Sequence, residues 1–201
     1  MSSPAVAIVD SGGANIASLL FAFERLGIAA TLTADARQIE AADRVLLPGV
    51  GAARDSMQRL RQLGLVETIR GLTQPVLGIC LGMQLLAEAS DEDNAECLGV
   101  IPATARRLSA SPLCPVPNMG WCRTGFGSGD TLLSGIDDGA YFYYLHSYAL
   151  PVGDYTLATA NHGERFSAIV RHENFVAAQF HPERSAAAGA RLLRNFVSGG
   201  A

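Results

Sequence analysis

Short apolar runs alternate with amphipathic stretches along the first half of the chain, and turn-forming residues bound each run. Runs of this length predict buried strands, while apolar residues spaced three and four apart predict the helices between them. Alternating strands and helices favour a parallel sheet covered on both faces, with binding sites beyond the carboxyl ends of the strands. The predicted strands are 5–9, 29–33, 45–47 and 76–79, and the predicted helices are 16–27, a polar segment ending near residue 42, 53–63, 65–70 and one that begins after residue 80.

The pattern changes after residue 95, where strand-like runs follow one another and prolines punctuate the chain. This pattern predicts antiparallel strands added to the parallel core rather than a separate domain. We therefore expect one α/β domain over residues 1–201, with an open, mostly parallel sheet flanked by helices and an added antiparallel portion. The later predicted strands are 98–108, 141–150, 156–160, 166–171 and 176–180, and a last helix runs from about Ser185 to Gly199 and Gly200.

One predicted strand ends at a cysteine that has a glycine two residues away on each side. In Gly78-Ile79-Cys80-Leu81-Gly82 the spacing predicts a sharp strand-to-helix turn, similar to the nucleophile elbow of hydrolases with cysteine in place of serine. Glycines let strand, helix and substrate approach the turn, and a helix N-terminus favours a thiolate. The spacing alone fits a buried structural cysteine equally well.

Composition excludes several classes of function. The net charge of −4 gives no electrostatic case for nucleic acid or for an anionic membrane, and no apolar stretch reaches membrane-spanning length. All 15 basic residues are arginine, which excludes lysine-based nucleophile or Schiff-base chemistry. The four cysteines lack metal-binding spacing, so we expect no metal, no disulfide framework and a reducing, cytoplasmic location. The N-terminal residues do not read as a signal peptide.

A second stretch, Gln179-Phe180-His181-Pro182-Glu183, supplies a base for the cysteine. His181 and Glu183 are two residues apart, so an extended segment would point both side chains to the same side. A carboxylate could then hold one imidazole nitrogen while the other faces a nucleophile. In isolation the pair is also typical of an exposed strand end, and the upstream cysteine is what favours catalysis.

Together these motifs resemble those of the triad-type, class I glutamine amidotransferases, over essentially the whole chain. Pro48-Gly49-Val50-Gly51 is the third shared motif. Met119-Gly120-Trp121 and His146-Ser147-Tyr148 are most similar to the glutaminase subunits of histidine biosynthesis. The resemblance implies a class I glutamine amidotransferase-like fold, a glutamine substrate and no cofactor.

The resemblance also implies a role for each site residue. Cys80 would attack the side-chain amide of glutamine, His181 would carry its proton to the leaving ammonia, and Glu183 would orient His181. A glutamyl thioester would form and be hydrolysed to glutamate. The oxyanion would be bound by the backbone N–H of Leu81 and by one from the Val50–Gly51 peptide. The implied substrate-binding residues are Gly49, Gln84, Glu92, Ser147 and Tyr148.

A partner is implied as well. In these relatives the glutaminase forms a heterodimer with a cyclase subunit that has a (β/α)8 barrel. Ammonia passes into the barrel, where imidazole glycerol phosphate and aminoimidazole carboxamide ribonucleotide are made. The implied interface residues are Pro117, Met119, Trp121, Tyr143 and Arg184.

The chain departs from the usual family pattern where the partner would bind. Arg184 stands where lysine is usual, Asn118 where histidine is common and Cys122 where asparagine is usual, and the loop at 11–15 is also atypical. None of these departures touches the triad, so they bear on the partner rather than on glutamine hydrolysis.

Three other functions remain open at this point. A paralogous amidotransferase subunit could supply ammonia to a different acceptor, and its neighbouring gene would not encode a cyclase. A stand-alone cysteine hydrolase would be active without a partner. A binding subunit that has lost activity is disfavoured by the complete set of Cys80, His181 and Glu183. A dinucleotide site at the glycine-rich turn near residue 12 lacks the G-x-G-x-x-G fingerprint.

Overall fold

The computed structural model describes residues 4–11, 16–127 and 129–199, which form an α/β structure built on a nine-stranded mixed sheet. The predicted turn at 12–15, with Asn15 as a helix cap, and the end of the chain at Gly200 lie outside the described residues. In spatial order the strands are β2 (Ala30–Thr33), β1 (Val6–Val9), β3 (Arg44–Gly49), β4 (Val76–Cys80), β13 (Phe175–Ala178), β12 (Glu164–His172), β11 (Thr156–His162), β8 (Asn118–Phe126) and β9 (Tyr141–His146).

The sheet is parallel in its first part and antiparallel in its second. Strands β2, β1, β3, β4 and β13 pair in parallel, whereas the pairs from β13 through β12, β11 and β8 to β9 are antiparallel. This confirms the predicted α/β sheet, with a larger antiparallel portion than the sequence suggested. Strand β13 comes from late in the chain but lies beside β4, so the segment after residue 178 leads to the turn at Cys80.

Both faces of the parallel part are covered, which explains the uninterrupted apolar runs. Along β3, Val45 and Leu47 point into one buried cluster and Leu46 into the other. The helices are α1 (Ile16–Arg25), α2 (Ala36–Ala41), α3 (Ala53–Gln62), α4 (Leu65–Arg70), α5 (Leu81–Leu86) and α6 (Ala186–Ser198). The first cluster is packed by α2, α3, α4 and α5, and the second by α1 and α6.

A smaller four-stranded sheet lies on the side of α3 and α5. Its strands, in spatial order, are β10 (Tyr148–Ala149), β7 (Ile101–Arg107), β5 (Ala87–Ser90) and β6 (Ala95–Glu96). Single turns of 3₁₀ helix occur at Glu92–Asn94, Thr131–Leu133 and Pro182–Arg184. Of the helices within the described ranges, none combines the length and apolar character needed to cross a bilayer.

Several strands differ from the sequence prediction, and among them β5 and β6 were not predicted. The expected strand 141–150 is broken at Ser147, and its two halves, β9 and β10, belong to different sheets. Strand β8 was not predicted because its polarity is inverted. Polar Asn118 is buried there, while Met119 and Trp121 are exposed, so the expectation that the apolar residues of a strand face the core fails.

Candidate active site

Cys80 occupies a strained turn between β4 and α5. Its backbone φ of 54° and ψ of −111° lie in a region that residues other than glycine rarely adopt. A Cβ added at Gly82 would lie 1.8 Å from the carbonyl oxygen of Leu47, so α5 packs against β3 only with glycine there. At Gly78 an added Cβ would lie 2.9 Å from Leu86 Cδ1. The predicted strand–turn–helix around Cys80 is thus confirmed, together with the steric reason for its two glycines.

His181 and Glu183 reach Cys80 because β13 pairs directly with β4. Beyond β13 the chain turns into the 3₁₀ helix Pro182–Arg184, so the extended segment expected for His181 and Glu183 is wrong. The 3₁₀ turn nevertheless brings Glu183 Oε1 to 2.8 Å from His181 Nδ1. The imidazole also forms a hydrogen bond with the Cys80 side chain. Hydrogen bonds therefore connect a nucleophile to a base and the base to an orienting carboxylate.

The charge state of His181 follows from these two contacts. Burial alone would lower the pKa of His181, but hydrogen bonds to Cys80 and Glu183, and the negative charge of each, together raise that pKa to about 10. The imidazolium form of His181 is therefore favoured at neutral pH.

Ser185 fixes the backbone of the triad segment. Its Oγ accepts a hydrogen bond from the N–H of Tyr143 at 2.9 Å and donates one to the carbonyl oxygen of His181 at 2.7 Å. The backbone N–H of His181 donates in turn to the carbonyl oxygen of Tyr143 at 2.9 Å. The segment that carries the base is thereby tied to the outer edge of β9.

A cleft of about 490 Å³ opens in front of Cys80 and contains most of the sequence-predicted site. Of the residues predicted to bind the substrate, Gly49 does not line the cleft. Gly49 lies behind the turn, where an added Cβ would be 2.9 Å from the backbone nitrogen of Gly82. The predicted residues that line the cleft are Val50, Gly51, Cys80, Leu81, Gln84, Glu92, Pro117, Ser147, Tyr148, His181 and Arg184.

Two features of the cleft walls suit an amino acid substrate. Gly51 has a φ of +90°, which favours glycine, and no atom lies within 4 Å of where its Cβ would be. Glu92 is half-buried in the cleft lining, where its Oε2 accepts a hydrogen bond from the N–H of Ala53 at 2.9 Å. A carboxylate held in this way can pair with an ammonium group.

A chain of amide groups connects the cleft wall to the nucleophile. Gln84 Nε2 donates to the carbonyl oxygen of Tyr148 at 2.9 Å and to Gln179 Oε1 at 3.2 Å. Gln179 Nε2 lies 3.9 Å from Cys80 Sγ. Both glutamine side chains are buried, so these contacts fix their orientation.

The residues predicted for the partner interface lie next to the cleft. Met119 and Trp121 are 68% and 51% exposed, which is unusual for such large apolar side chains in neighbouring positions. The Trp121 and Tyr143 rings meet edge to face with centroids 6.1 Å apart. The exposed guanidinium of Arg184 lies 5.9 Å from the centre of the Tyr143 ring.

A cysteine, an imidazole and a carboxylate joined by hydrogen bonds at the strand ends of an α/β sheet can perform acyl transfer. The described residues contain no cluster suited to holding a metal ion. The chain belongs to the family of class-I glutamine amidotransferases, whose family model matches residues 7–199.

Comparison with individual relatives is more specific than the family match. The chain is 51% identical to a protein of Idiomarina loihiensis and 46% identical to one of Vibrio cholerae, with 96% of this chain covered in both cases and 96% and 97% of the relatives. Each is named imidazole glycerol phosphate synthase subunit HisH. A crystal structure described as a glutamine amidotransferase shares the fold with a TM-score of 0.73 and 21% identity, covering 95% of this chain and 96% of that one.

Sequence reasoning gave no role to three residues of this site. Ser185, Gln179 and His146 are buried, and each forms hydrogen bonds with distant parts of the chain. For Gln179 a signal was available, because a polar residue that precedes a catalytic motif at the end of an apolar strand needs a buried partner. For His146 the partner depends on how β8 and β9 pair, and for Ser185 it depends on where β9 lies relative to the segment after β13.

Proposed function

We propose that this chain is the glutaminase subunit of an imidazole glycerol phosphate synthase and acts in histidine biosynthesis. The observation that carries the proposal is the hydrogen-bonded set of Cys80, His181 and Glu183 in a cleft of substrate size. The names of the relatives at 51% and 46% identity support the assignment to this synthase.

In the proposed reaction the Cys80 thiolate attacks the side-chain carboxamide carbon of glutamine. The C–N bond breaks as His181 gives its proton to the departing nitrogen, which leaves as ammonia. Water then attacks the glutamyl thioester while His181 accepts one of its protons. The C–S bond breaks, releasing glutamate and restoring the thiolate–imidazolium pair. Because Nδ1 of His181 is hydrogen-bonded to Glu183, Nε2 is the ring nitrogen that faces the sulfur.

The oxyanion formed in each attack requires donors placed in advance. The backbone N–H of Leu81 at the start of α5 and one from the Val50–Gly51 peptide are the donors we propose. Because Gly51 has no side chain to obstruct rotation, that peptide can turn at low steric cost. One missing donor lowers the rate by about 10²–10³-fold in known hydrolases, so the isolated subunit is expected to be nearly inactive.

Glutamine would be held by its α-substituents at the opposite end of the cleft. Glu92 would bind the ammonium group, and Gln84 with the backbone of Ser147 and Tyr148 would bind the remainder. Gly49 would contribute only indirectly, by allowing α5 to approach β3.

The partner we propose is a cyclase with a (β/α)8 barrel, in a cytoplasmic heterodimer. Met119, Trp121 and Tyr143 offer an apolar docking surface beside the cleft, and Pro117 lies at its rim. Ammonia leaving Cys80 could then enter the barrel without meeting bulk water.

The test measures glutamate release by the purified chain alone, with a candidate cyclase, and with the cyclase and its nucleotide ligand. Stimulation that requires the cyclase supports the proposal, and Cys80→Ala must abolish it. High activity without a partner would instead indicate a stand-alone hydrolase. Glutaminase stimulated only by a different synthase would indicate a paralogous subunit.

Arg184 tests the docking surface separately. Replacing it with alanine removes the cation above Tyr143, which should weaken the complex or reduce ligand-stimulated glutaminase. Arg184→Lys keeps the charge and should be mild. Unchanged complex dissociation constant and unchanged stimulation in Arg184→Ala would eliminate this role.

A further inference from the structure

His146 is a second buried histidine in the cleft wall, and the proposed reaction gives it no task. Its Nδ1 lies 2.9 Å from the carbonyl oxygen of Tyr148, and its Nε2 lies 3.1 Å from the side-chain amide nitrogen of Asn118. The side chain of Cys122 donates to Asn118 Oδ1 at 3.4 Å. The imidazole therefore bridges β8 and β10 at the point where the predicted strand 141–150 is broken.

These contacts define one protonation state of the ring. A carbonyl oxygen can only accept, so Nδ1 of His146 must carry a hydrogen. The Asn118 amide, whose oxygen is occupied by the Cys122 thiol, presents its NH₂ group to Nε2, which must then accept. A neutral imidazole with its hydrogen on Nδ1 satisfies every atom, whereas an imidazolium would face a donor with a donor.

The surroundings of His146 favour this neutral form. Burial is the main effect and lowers its pKa to about 4, against an opposing effect of the bond to the Tyr148 carbonyl. The titratable groups around it are the Tyr144 phenol on its own strand, the Cys122 thiol on β8 and, as weaker charges, His162 and His181.

The Tyr148 carbonyl links this ring to the nucleophile. The same oxygen accepts from Gln84 Nε2, Gln84 contacts Gln179 Oε1, and Gln179 Nε2 faces Cys80 Sγ. With His146 Nδ1 and Gln84 Nε2 both directed at it, the carbonyl has little freedom to rotate. Its peptide is part of the wall that would hold glutamine.

We propose that His146 is a positioning residue, which as a neutral Nδ1-protonated imidazole fixes the Tyr148 carbonyl and with it the Gln84 side chain for glutamine binding. The predicted effect of His146 on glutamine kinetics rests on the proposed function. Asn118 and Cys122, which stand where the family more often has histidine and asparagine, supply the donor that sets the tautomer.

Two substitutions separate positioning from structural support. In His146→Asn the amide nitrogen takes the place of Nδ1 and can still donate to the Tyr148 carbonyl, but the contact with Asn118 is lost. In His146→Gln the side-chain oxygen takes the place of Nε2 and can accept from Asn118, but the Nδ1 donor is lost. Each variant loses one buried contact, so thermal stability should fall by similar amounts.

The kinetic effects should differ between the two variants. With the cyclase and its ligand present, His146→Gln should raise the KM for glutamine by about fivefold to tenfold, the effect of one lost hydrogen bond in the binding wall. His146→Asn should recover most of that loss, and kcat should change less than KM in both. The matched pair His172→Asn and His172→Gln, on β12 away from the cleft, should show no difference.

Nitrogen-15 NMR of histidine-labelled protein tests the tautomer without any turnover. The expected result is a neutral His146 ring at pH 7 with hydrogen on Nδ1. A charged ring, hydrogen on Nε2, or equal KM values in His146→Asn and His146→Gln would each overturn the proposal. Wild-type protein without cyclase-stimulated glutaminase would contradict the proposed function instead, and the NMR result would still decide the state of His146.

Discussion

Replacing Ser185 with alanine separates folding from catalysis at the triad. The side chain is 1% exposed, and its hydroxyl joins the Tyr143 N–H to the carbonyl oxygen of His181. The carbonyl keeps a second donor, the N–H of Arg184 at 3.1 Å, but the Tyr143 N–H loses its acceptor. One buried donor without an acceptor costs about 1–3 kcal/mol, which is the expected fall in the free energy of unfolding.

The same substitution should lower activity beyond its effect on stability. Without the hydroxyl, the segment that carries His181 loses its link through Ser185 to β9 and keeps the backbone bond from the His181 N–H to the carbonyl oxygen of Tyr143. Displacement of a catalytic group by about 1 Å can cost about 10²-fold, so we expect kcat/KM to fall by about 10- to 100-fold.

Ser167→Ala is the matched control for this experiment. Ser167 is also fully buried and also has two hydrogen bonds, to Thr156 Oγ1 and to the carbonyl oxygen of Pro151, but these partners do not line the cleft. Urea unfolding should show comparable destabilisation in both variants. Glutaminase assays with the cyclase, and the rate at which a thiol-directed glutamine analogue labels Cys80, should be affected only in Ser185→Ala. Equal kcat/KM in the two variants would refute the reasoning.

The remaining predictions concern the triad and its turn. Cys80→Ala and Cys80→Ser should abolish glutamate release but leave the thermal transition in place, and equal labelling of all four cysteines by the glutamine analogue would contradict a specially placed thiol. Glu183→Gln should lower the pKa of His181, measured by NMR, because it removes a negative charge and weakens a charge-assisted hydrogen bond; an unchanged pKa would disprove that cause. A raised pKa of His181 stabilises the folded protein fully below the unfolded value of about 6.5, and this contribution is lost as pH rises towards about 10. Glu183→Gln should therefore lower the free energy of unfolding most below about pH 6.5, and the difference from wild type should disappear as pH approaches about 10. Gly82→Ala should strongly destabilise the protein and abolish glutaminase, because its Cβ would meet the Leu47 carbonyl at 1.8 Å; a soluble variant with normal activity would show that the turn can relax.

The nucleophile and its turn could be predicted from sequence because their determinants are local. Gly78, Cys80 and Gly82 lie within five residues, and the apolar run before them can only be a buried strand or helix segment. The link from His181 to Cys80 followed from chemistry and family resemblance, since periodicity does not reveal that β13 pairs with β4. The 3₁₀ turn at Glu183 was missed because a two-residue spacing fits both geometries.

The supporting hydrogen bonds could not be predicted because they join segments distant in sequence. Ser185 contacts a residue 42 positions away, and Asn118 contacts one 28 positions away. The partner of Asn118 is set by the antiparallel pairing of β8 with β9, and the inverted polarity of β8 kept that strand from being predicted. The partner of Ser185 is set by the position of β9 beside the segment that follows β13. The exposed Met119 and Trp121 of β8 form the apolar surface that we propose for docking the partner subunit.

The insertion of β13 between β4 and β12 also affects how the protein is made. The parallel strands β1 to β4, which include Cys80, are synthesised first. About half of the chain must then be synthesised before β13, the second neighbour of β4, is available to pair with it. Until residues 175–178 leave the ribosome, β4 presents an apolar edge that can pair with another nascent chain. Any product of premature termination before β13 would carry the nucleophile, lack its base and keep that edge open. A truncated chain would therefore be a substrate for chaperones and proteases rather than a weakly active enzyme.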